Sequence, residues 1–410
     1  MSHPAEPKTS PETRHTMLLE RFHSAWGRQS GNPVFRINVP LRICPLGAHS
    51  DHQGGIVTGL TIDRSVQLLA QPLDRPEASL FSANFDDERI VQFPTIQPKP
   101  PGDWGNYLRG AVQALSKAHG ELTRGFRGVI HGDMPIGGLS SSAAVTIAYL
   151  KALEHVNGIK SSTLETIQLV RAVENGYLGL HNGILDQSVI LSAKRGTLTC
   201  IDCSSHSITS RPQQTPSAPW EILVVYSGLS RQLMATPFNQ RVSECHQAAR
   251  ELLLMAKQAA PDKPLLGDVN ETLFDDLGAR LPENLRRRAT HFYSERARVL
   301  KGIELWSEGN IEAFGRLVTS SGESSIVNYE SGSPALISLY EILADTPGVY
   351  GTRFCGGGFQ GCCLALIDPR RRDSIAHALH EGYSTHHPEL VQDYSIHFCQ
   401  STDSVSIEAL

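Results

Sequence analysis

Short apolar stretches, some alternating with polar residues and some unbroken, read as strands along the whole chain. Residues 34–44 and 55–70 are the first two, joined by a polar, glycine-bearing turn. Residues 126–131, 197–203 and 222–226 follow, and 348–355, 362–367 and 394–399 close the chain. Between them the period changes to that of a helix. Val145, Ala148, Tyr149, Ala152, Leu153 and Val156 share one face, and Gly158 is a natural stop. Ser162 and Glu165 form a capping-box pair opening a helix that runs past Glu174. Longer helical patterns cover 241–259, 283–306 and 311–321. Strands and helices alternate without a fixed repeat, which predicts α+β layers rather than a doubly wound sheet. Residues 1–15 are polar and proline-bearing and are expected to be disordered. The segment 204–219, rich in Ser, Thr, Pro and Gln, is the expected boundary between a domain over 16–205 and one over 220–410.

Composition narrows the functional classes. With 37 basic and 42 acidic residues among 410, the net charge of −5 argues against a protein that binds nucleic acid by neutralising phosphates. No apolar run reaches the length of a membrane helix. The amino terminus lacks the pattern of a secretory signal, so a reducing cytoplasm is expected. The eight cysteines sit mostly in apolar, strand-like stretches and read as small buried hydrophobes; Cys200 and Cys203 form a CxxC without a second half.

Nine of the 35 glycines cluster in three short segments. In the segment Pro135, Ile136, Gly137, Gly138, Leu139, Ser140, Ser141, Ser142, Ala143, glycines and three hydroxyls open a helix. Free N–H groups at a helix start suit a nucleotide phosphate, although a serine cap after a glycine turn has the same look. Residues 356–361 carry four glycines between two strands, more than a hairpin needs, which points to a loop facing a ligand. Residues 42–55 gather Arg42, His49 and Asp51 in a turn between strands.

Together these segments resemble the GHMP small-molecule kinases, and their galactokinase branch in particular. The resemblance rests on residues 42–55, 135–143, 356–362 and on Gly183, Ile184, Leu185, Asp186 and Gln187. It extends to Trp104, Gly105, Asn106 and Tyr107 and covers about 34–370. Within the family the chain is most similar to the galacturonokinases, in residues 42–55, 174–188 and 241–245. It implies a two-domain α+β fold, ribosomal S5 domain 2-like at the N-terminus and ferredoxin-like at the C-terminus, with the active site between them. It also implies ATP and Mg2+ as cofactors, a sugar acid as acceptor, and a cytoplasmic monomer or weak oligomer.

Carried onto this sequence, the resemblance makes Asp186 the catalytic carboxylate at the anomeric hydroxyl, with Arg42 beside it. Ser142 and Glu174 would hold magnesium. Pro135, Gly137, Gly138, Leu139, Ser140, Ser141, Ser142 and Ala143 would surround the phosphates, and Trp104 and Tyr107 the adenine. His49, Asp51 and Gly183 would meet the sugar. Ala48 stands where galactokinases carry a glutamate, and Phe238 where they carry a tyrosine. A C6 carboxylate about 4 Å from that glutamate would be repelled by roughly 4 kcal/mol at an effective dielectric near 20. Ala48 removes the repulsion. Arg64 and Arg231, adjacent to motif segments, are the candidates for binding the substrate carboxylate. The phosphate loop is one residue shorter than the family pattern, and Gln360 replaces a glycine. The expected reaction is phosphorylation of galacturonic acid at C1; the alternatives are a galactokinase, a kinase of another uronic acid, or a non-catalytic sensor of sugar and ATP.

Overall fold

The computed structural model describes residues 11–27, 32–93, 96, 100, 102–134, 138–229 and 237–410. The strands are β1 Phe35–Ile43, β2 Ile56–Leu73, β3 Glu77–Ser82, β4 Asp87–Gln92, β5 Gly125–Gly132, β6 Thr197–Asp202, β7 Ser207–Pro212, β8 Glu221–Tyr226, β9 Val349–Phe354, β10 Cys362–Ile367, β11 Ser395–Cys399 and β12 Ser406–Ala409. The helices are α1 Pro11–Trp26, α2 Asn106–His119, α3 Ser141–Asn157, α4 Thr163–Arg171, α5 Leu185–Ser192, α6 Phe238–Met255, α7 Glu271–Leu277, α8 Glu283–Ser307, α9 Ile311–Val327, α10 Pro334–Asp345 and α11 Arg372–His386.

Two sheets divide the work. The first runs β12-β1-β2-β5-β3-β4, with β6 and β7 attached at β2. Its axis is β2, long enough to pair with β6 through 56–59 and with β5 through 66–73, while β1 covers most of its length. The second sheet runs β11-β8-β10-β9, all antiparallel. In its own chain order that is 4-1-3-2, the split βαββαβ arrangement of a ferredoxin-like domain. Strands β8 and β10 are buried on both faces. Alternation sends Ile222, Val224, Leu364 and Leu366 into the core shared with the first sheet, and Leu223, Val225, Cys363 and Ala365 into a second core under α10 and α11. Each buried Val, Leu or Ile contributes about 1.5–3 kcal/mol, so the common core binds the two halves firmly.

Three expectations are corrected. Residues 11–15 are the first turn of α1, not a disordered tail. That helix is fastened by the buried Arg14, which donates to Ser65 Oγ and carbonyl, to the His131 carbonyl and to Asp133 Oδ2. The segment 204–219 holds β7, paired throughout with β6, so the passage between sheets is shorter than the composition suggested. The chain's last strand, β12, returns to the edge of the first sheet beside β1, so 220–410 is not confined to the second half. All eight cysteines are free and buried, and burial pushes the Cys200 thiol up to about 11, as expected of structural residues.

Candidate active site

A deep cavity opens between the halves, and its walls come from both. On one side the chain leaves β1 just after Arg42 and turns back sharply to reach β2. Gly47 makes the turn at φ +97°, where a Cβ would lie 2.5 Å from Val57 Cα. His49 follows at φ 63°, also left-handed. This path brings Cys44, Ala48, His49 and Asp51 to the cavity wall. Gly183 packs so closely on Asp51 that a Cβ would meet its Oδ2 at 2.3 Å, and the Leu185 N–H donates to the same oxygen at 3.4 Å. Phe238, at the start of α6, lines the cavity and stands edge-on to His52.

Across the cavity lies the start of α3. Its N-cap, Ser140, is left-handed at φ 62°, and its buried Oγ has no hydrogen-bond partner among the described residues. Gly138, Ser140, Ser141 and Ser142 reach the cavity, beside Gly356 and Gly357 of the second half. Gly356, at φ +62°, abuts the Gly138 carbonyl so tightly that a Cβ would sit 2.8 Å from it. The two glycine loops therefore touch, which accounts for glycines beyond the needs of a hairpin. Leu139 and Ala143 do not line the cavity; both are buried in the main core and anchor the loop from beneath. Pro135, Gly137 and Arg231 lie outside the described residues.

The charged groups meet in the middle. Arg42 donates through Nε to Asp186 Oδ1 at 2.8 Å, with Nη2 at 2.6 Å, and through Nη1 to the Gly138 carbonyl at 3.2 Å. Burial works against the Arg42 charge, but the Asp186 carboxylate outweighs it and holds the proton more firmly than usual. Asp51 is pushed up to about 6 by burial and by Asp186. Glu174 sits in a π-helical turn, Ala172–Tyr177, and is pushed up to about 7 by burial and then Asp186, with hydrogen bonds from Asn182 and Ser142 opposing. Such turns frequently mark functional positions. Its Oε1 is buried without a partner among the described residues.

At the far end the wall is apolar. Trp104 and Tyr107, at the start of α2, face it together with Val66, Ile130 and Val145. Two contributors were not legible. Asn84 and Phe85 come from the β3–β4 turn; Asn84 is tied by both amide atoms to the Gly132 backbone, and Phe85 stacks near Trp104 at 6.2 Å. Only a half-exposed phenylalanine at a turn signals them. Arg64 is not brought to the cavity. It is buried beside Arg14, His397 and Cys399, because its place on β2 directs it toward α1 and β11.

A fold of these two halves, with a glycine–serine helix start facing an Arg–Asp pair, is that of a small-molecule kinase. Residues 106–194 match the GHMP kinases N terminal domain and residues 300–385 the GHMP kinases C terminal model. The chain belongs to the GHMP kinases. It is 41% identical to the galacturonokinase of Arabidopsis thaliana over 95% of its length and 98% of that protein. It is 32% identical to the galactokinase of Roseiflexus sp., over 95% of this chain and 96% of the other. Among solved structures, Lactococcus lactis galactokinase complexed with galactose superimposes with a TM-score of 0.87 at 26% identity, covering 96% of this chain and 100% of that one. The mevalonate kinase of Methanococcus jannaschii shares the fold, with a TM-score of 0.64 at 18% identity.

Proposed function

We propose that the protein transfers the γ-phosphoryl group of ATP to the C1 hydroxyl of galacturonic acid, giving the 1-phosphate and ADP. The observation that carries the reaction is Arg42, which joins Asp186 on the acceptor side to the Gly138 carbonyl on the phosphate side. In this reading Asp186 takes the proton of the C1 hydroxyl. The freed oxygen forms a bond to the γ-phosphorus, and the bond to the bridging oxygen breaks, its electron pair leaving with ADP. Arg42 holds the carboxylate in place and offsets charge building on the transferred group. The helix start at Ser141 and the orphan Ser140 hydroxyl would receive phosphate oxygens. Trp104 and Tyr107 would hold the adenine.

Magnesium would neutralise phosphate charge and hold the phosphates in line. The residues fit it. Glu174 is fully buried with one oxygen unpartnered, and the Ser142 hydroxyl lies near enough to act on its carboxylate, a hard oxygen pair suited to this ion. Among the described residues no group of three or more His, Cys, Asp or Glu stands ready as a metal site, consistent with an ion bound chiefly through the nucleotide.

The acid is favoured over a neutral sugar by Ala48, which lines the cavity without a charge. His49, Asp51, Gly183 and Phe238 complete the acceptor end. Similarity to the Roseiflexus galactokinase supports galactose as the second reading. No helix among the described residues is long and apolar enough to cross a membrane, and eight buried free thiols suit a reducing cytoplasm. Phosphorus NMR of the product from galacturonate, ATP and Mg2+ tests the assignment. A phosphorus resonance coupled to the anomeric proton is expected; ADP release without that coupling would refute the C1 position.

A further inference from the structure

Three consecutive residues of the sugar loop are held from behind by the second half of the protein. The Gly47 N–H donates to Glu295 Oε1 at 2.7 Å. The Ala48 carbonyl lies 3.0 Å from His291 Nε2. The His49 ring stacks on Tyr329, centroids 3.9 Å apart and planes 9° from parallel. His291 and Glu295 stand one turn apart on α8, both buried, and neither lines the cavity. Contact with substrate therefore does not account for them.

The chemistry of each group fixes its role. A carbonyl only accepts, so His291 Nε2 carries the proton, and Nδ1 accepts from Ser324 Oγ at 3.0 Å. Burial pushes the ring down to about 4, so it stays neutral in this tautomer at ordinary pH. Glu295 is the opposite case. Burial opposes its charge, yet Arg353 and Arg298 together bring it below the usual carboxylate range. Arg298 Nε reaches Oε2 at 2.7 Å, while Ser321 Oγ donates to Oε1 at 2.5 Å. Arg353 is in turn fixed by Ser321 and Ser325. This braced assembly ends on the backbone of a loop whose His49 is left-handed, a conformation that a residue other than glycine seldom keeps unaided.

We propose that His291 is a positioning residue for acceptor recognition: with Glu295 and Tyr329 it sets the Gly47–Ala48–His49 backbone so that Ala48 forms the wall beside the acceptor's carboxylate and His49 faces its hydroxyls. The proposal rests on the sugar-kinase reading above. Without the His291 donor, the Ala48 carbonyl turns, and the wall and His49 shift together. The nucleotide end, built from α2, α3 and β5, keeps its shape.

His291→Leu fills the space without a donor, and His291→Gln returns an amide N–H. The Leu variant is expected to raise the KM for the sugar about tenfold, leave the KM for ATP within twofold, and narrow the preference for galacturonate over galactose. The Gln variant should recover most of the loss. A sugar KM near wild type in folded His291→Leu, an equal rise for both substrates, or no recovery with Gln would overturn the proposal. Should the Leu variant not fold, Ser324→Ala loosens the tautomer alone; a two- to fivefold rise confined to the sugar KM supports the role, and none contradicts it. If the wild-type enzyme prefers galactose, the acid reading fails, and the same KM split measured with galactose still decides the positioning role.

Discussion

Ala48→Glu is the most informative single change, because it restores a carboxylate where the cavity has none. Ala48 is 4% exposed and faces the cavity beside Asp51 and Asp186, so a longer side chain extends into the acceptor end. There it meets the substrate carboxylate at about 4 Å. At an effective dielectric near 20 the repulsion is roughly 4 kcal/mol, and partial solvation of the open cavity reduces it to about 2–4 kcal/mol. That corresponds to a loss of about 30- to 1,000-fold in kcat/KM for galacturonate. Galactose carries no charge and gains an acceptor for its 6-hydroxyl, so its kcat/KM should hold or rise. Ala48→Gln adds nearly the same bulk without the charge and isolates the electrostatic part. Initial rates of ADP release with both sugars, for all three proteins, give the comparison. Equal losses in the Glu and Gln variants would mean that space and not charge selects the acid. A Glu variant within threefold of wild type on galacturonate would mean that Ala48 does not face the carboxylate.

Asp186→Asn should keep sugar affinity within about threefold and lose 10²–10⁴ in kcat, since the proton acceptor goes while the shape remains; near-normal turnover would remove its role. The same variant leaves the buried Arg42 without its counter-charge, so its melting temperature should also fall. Gly356→Ala places a methyl against the Gly138 carbonyl at positive φ, and should weaken ATP binding more than sugar binding; unchanged KM for ATP would show that the two loops move independently. Acid should destabilise the protein. His52, His131, His291 and His397 are depressed by burial to about 3, 4, 4 and 4, so the unfolded chain takes up their protons first, and stability is lost as pH falls from 6.5 toward 4. Asp51 and Glu174, raised by burial, act oppositely over much of this range. The balance of four against two leaves a net loss of about 2.7 kcal/mol per pH unit. Urea midpoints at pH 7 and pH 5 measure it, and a higher midpoint at pH 5 would contradict the assignment.

The site was more legible than its scaffold, for a physical reason. Two loops that touch and a sharp return between strands demand glycines at Gly47, Gly138 and Gly356, and these clusters, with Asp186 between them in the chain, stand out in the sequence. Strands β1, β2, β8 and β10 were legible too, because they bury one or both faces. Helix α1 was not. Its outer face is polar, and Arg14, buried in line with Leu18 and Phe22, reads in sequence as a surface charge. Strands β7 and β12 lie at or near a sheet edge with mostly exposed residues, so alternation gave no signal. Arg64 was misplaced by the same limit: nearness to a motif in sequence says nothing about the face of a strand on which a residue falls. The support from His291 and Glu295 was invisible for another reason. They reach the sugar loop from about 240 residues away, and only the packing of α8 brings them there.

The central claim is that this cavity phosphorylates a sugar acid in preference to the neutral sugar. The most direct test is the ratio of kcat/KM for galacturonate to that for galactose, with glucuronate alongside, using purified protein with ATP and Mg2+. The account predicts a ratio well above ten for galacturonate over galactose, with glucuronate, the C4 epimer, used poorly. A ratio below one would contradict it and make the protein a galactokinase despite Ala48.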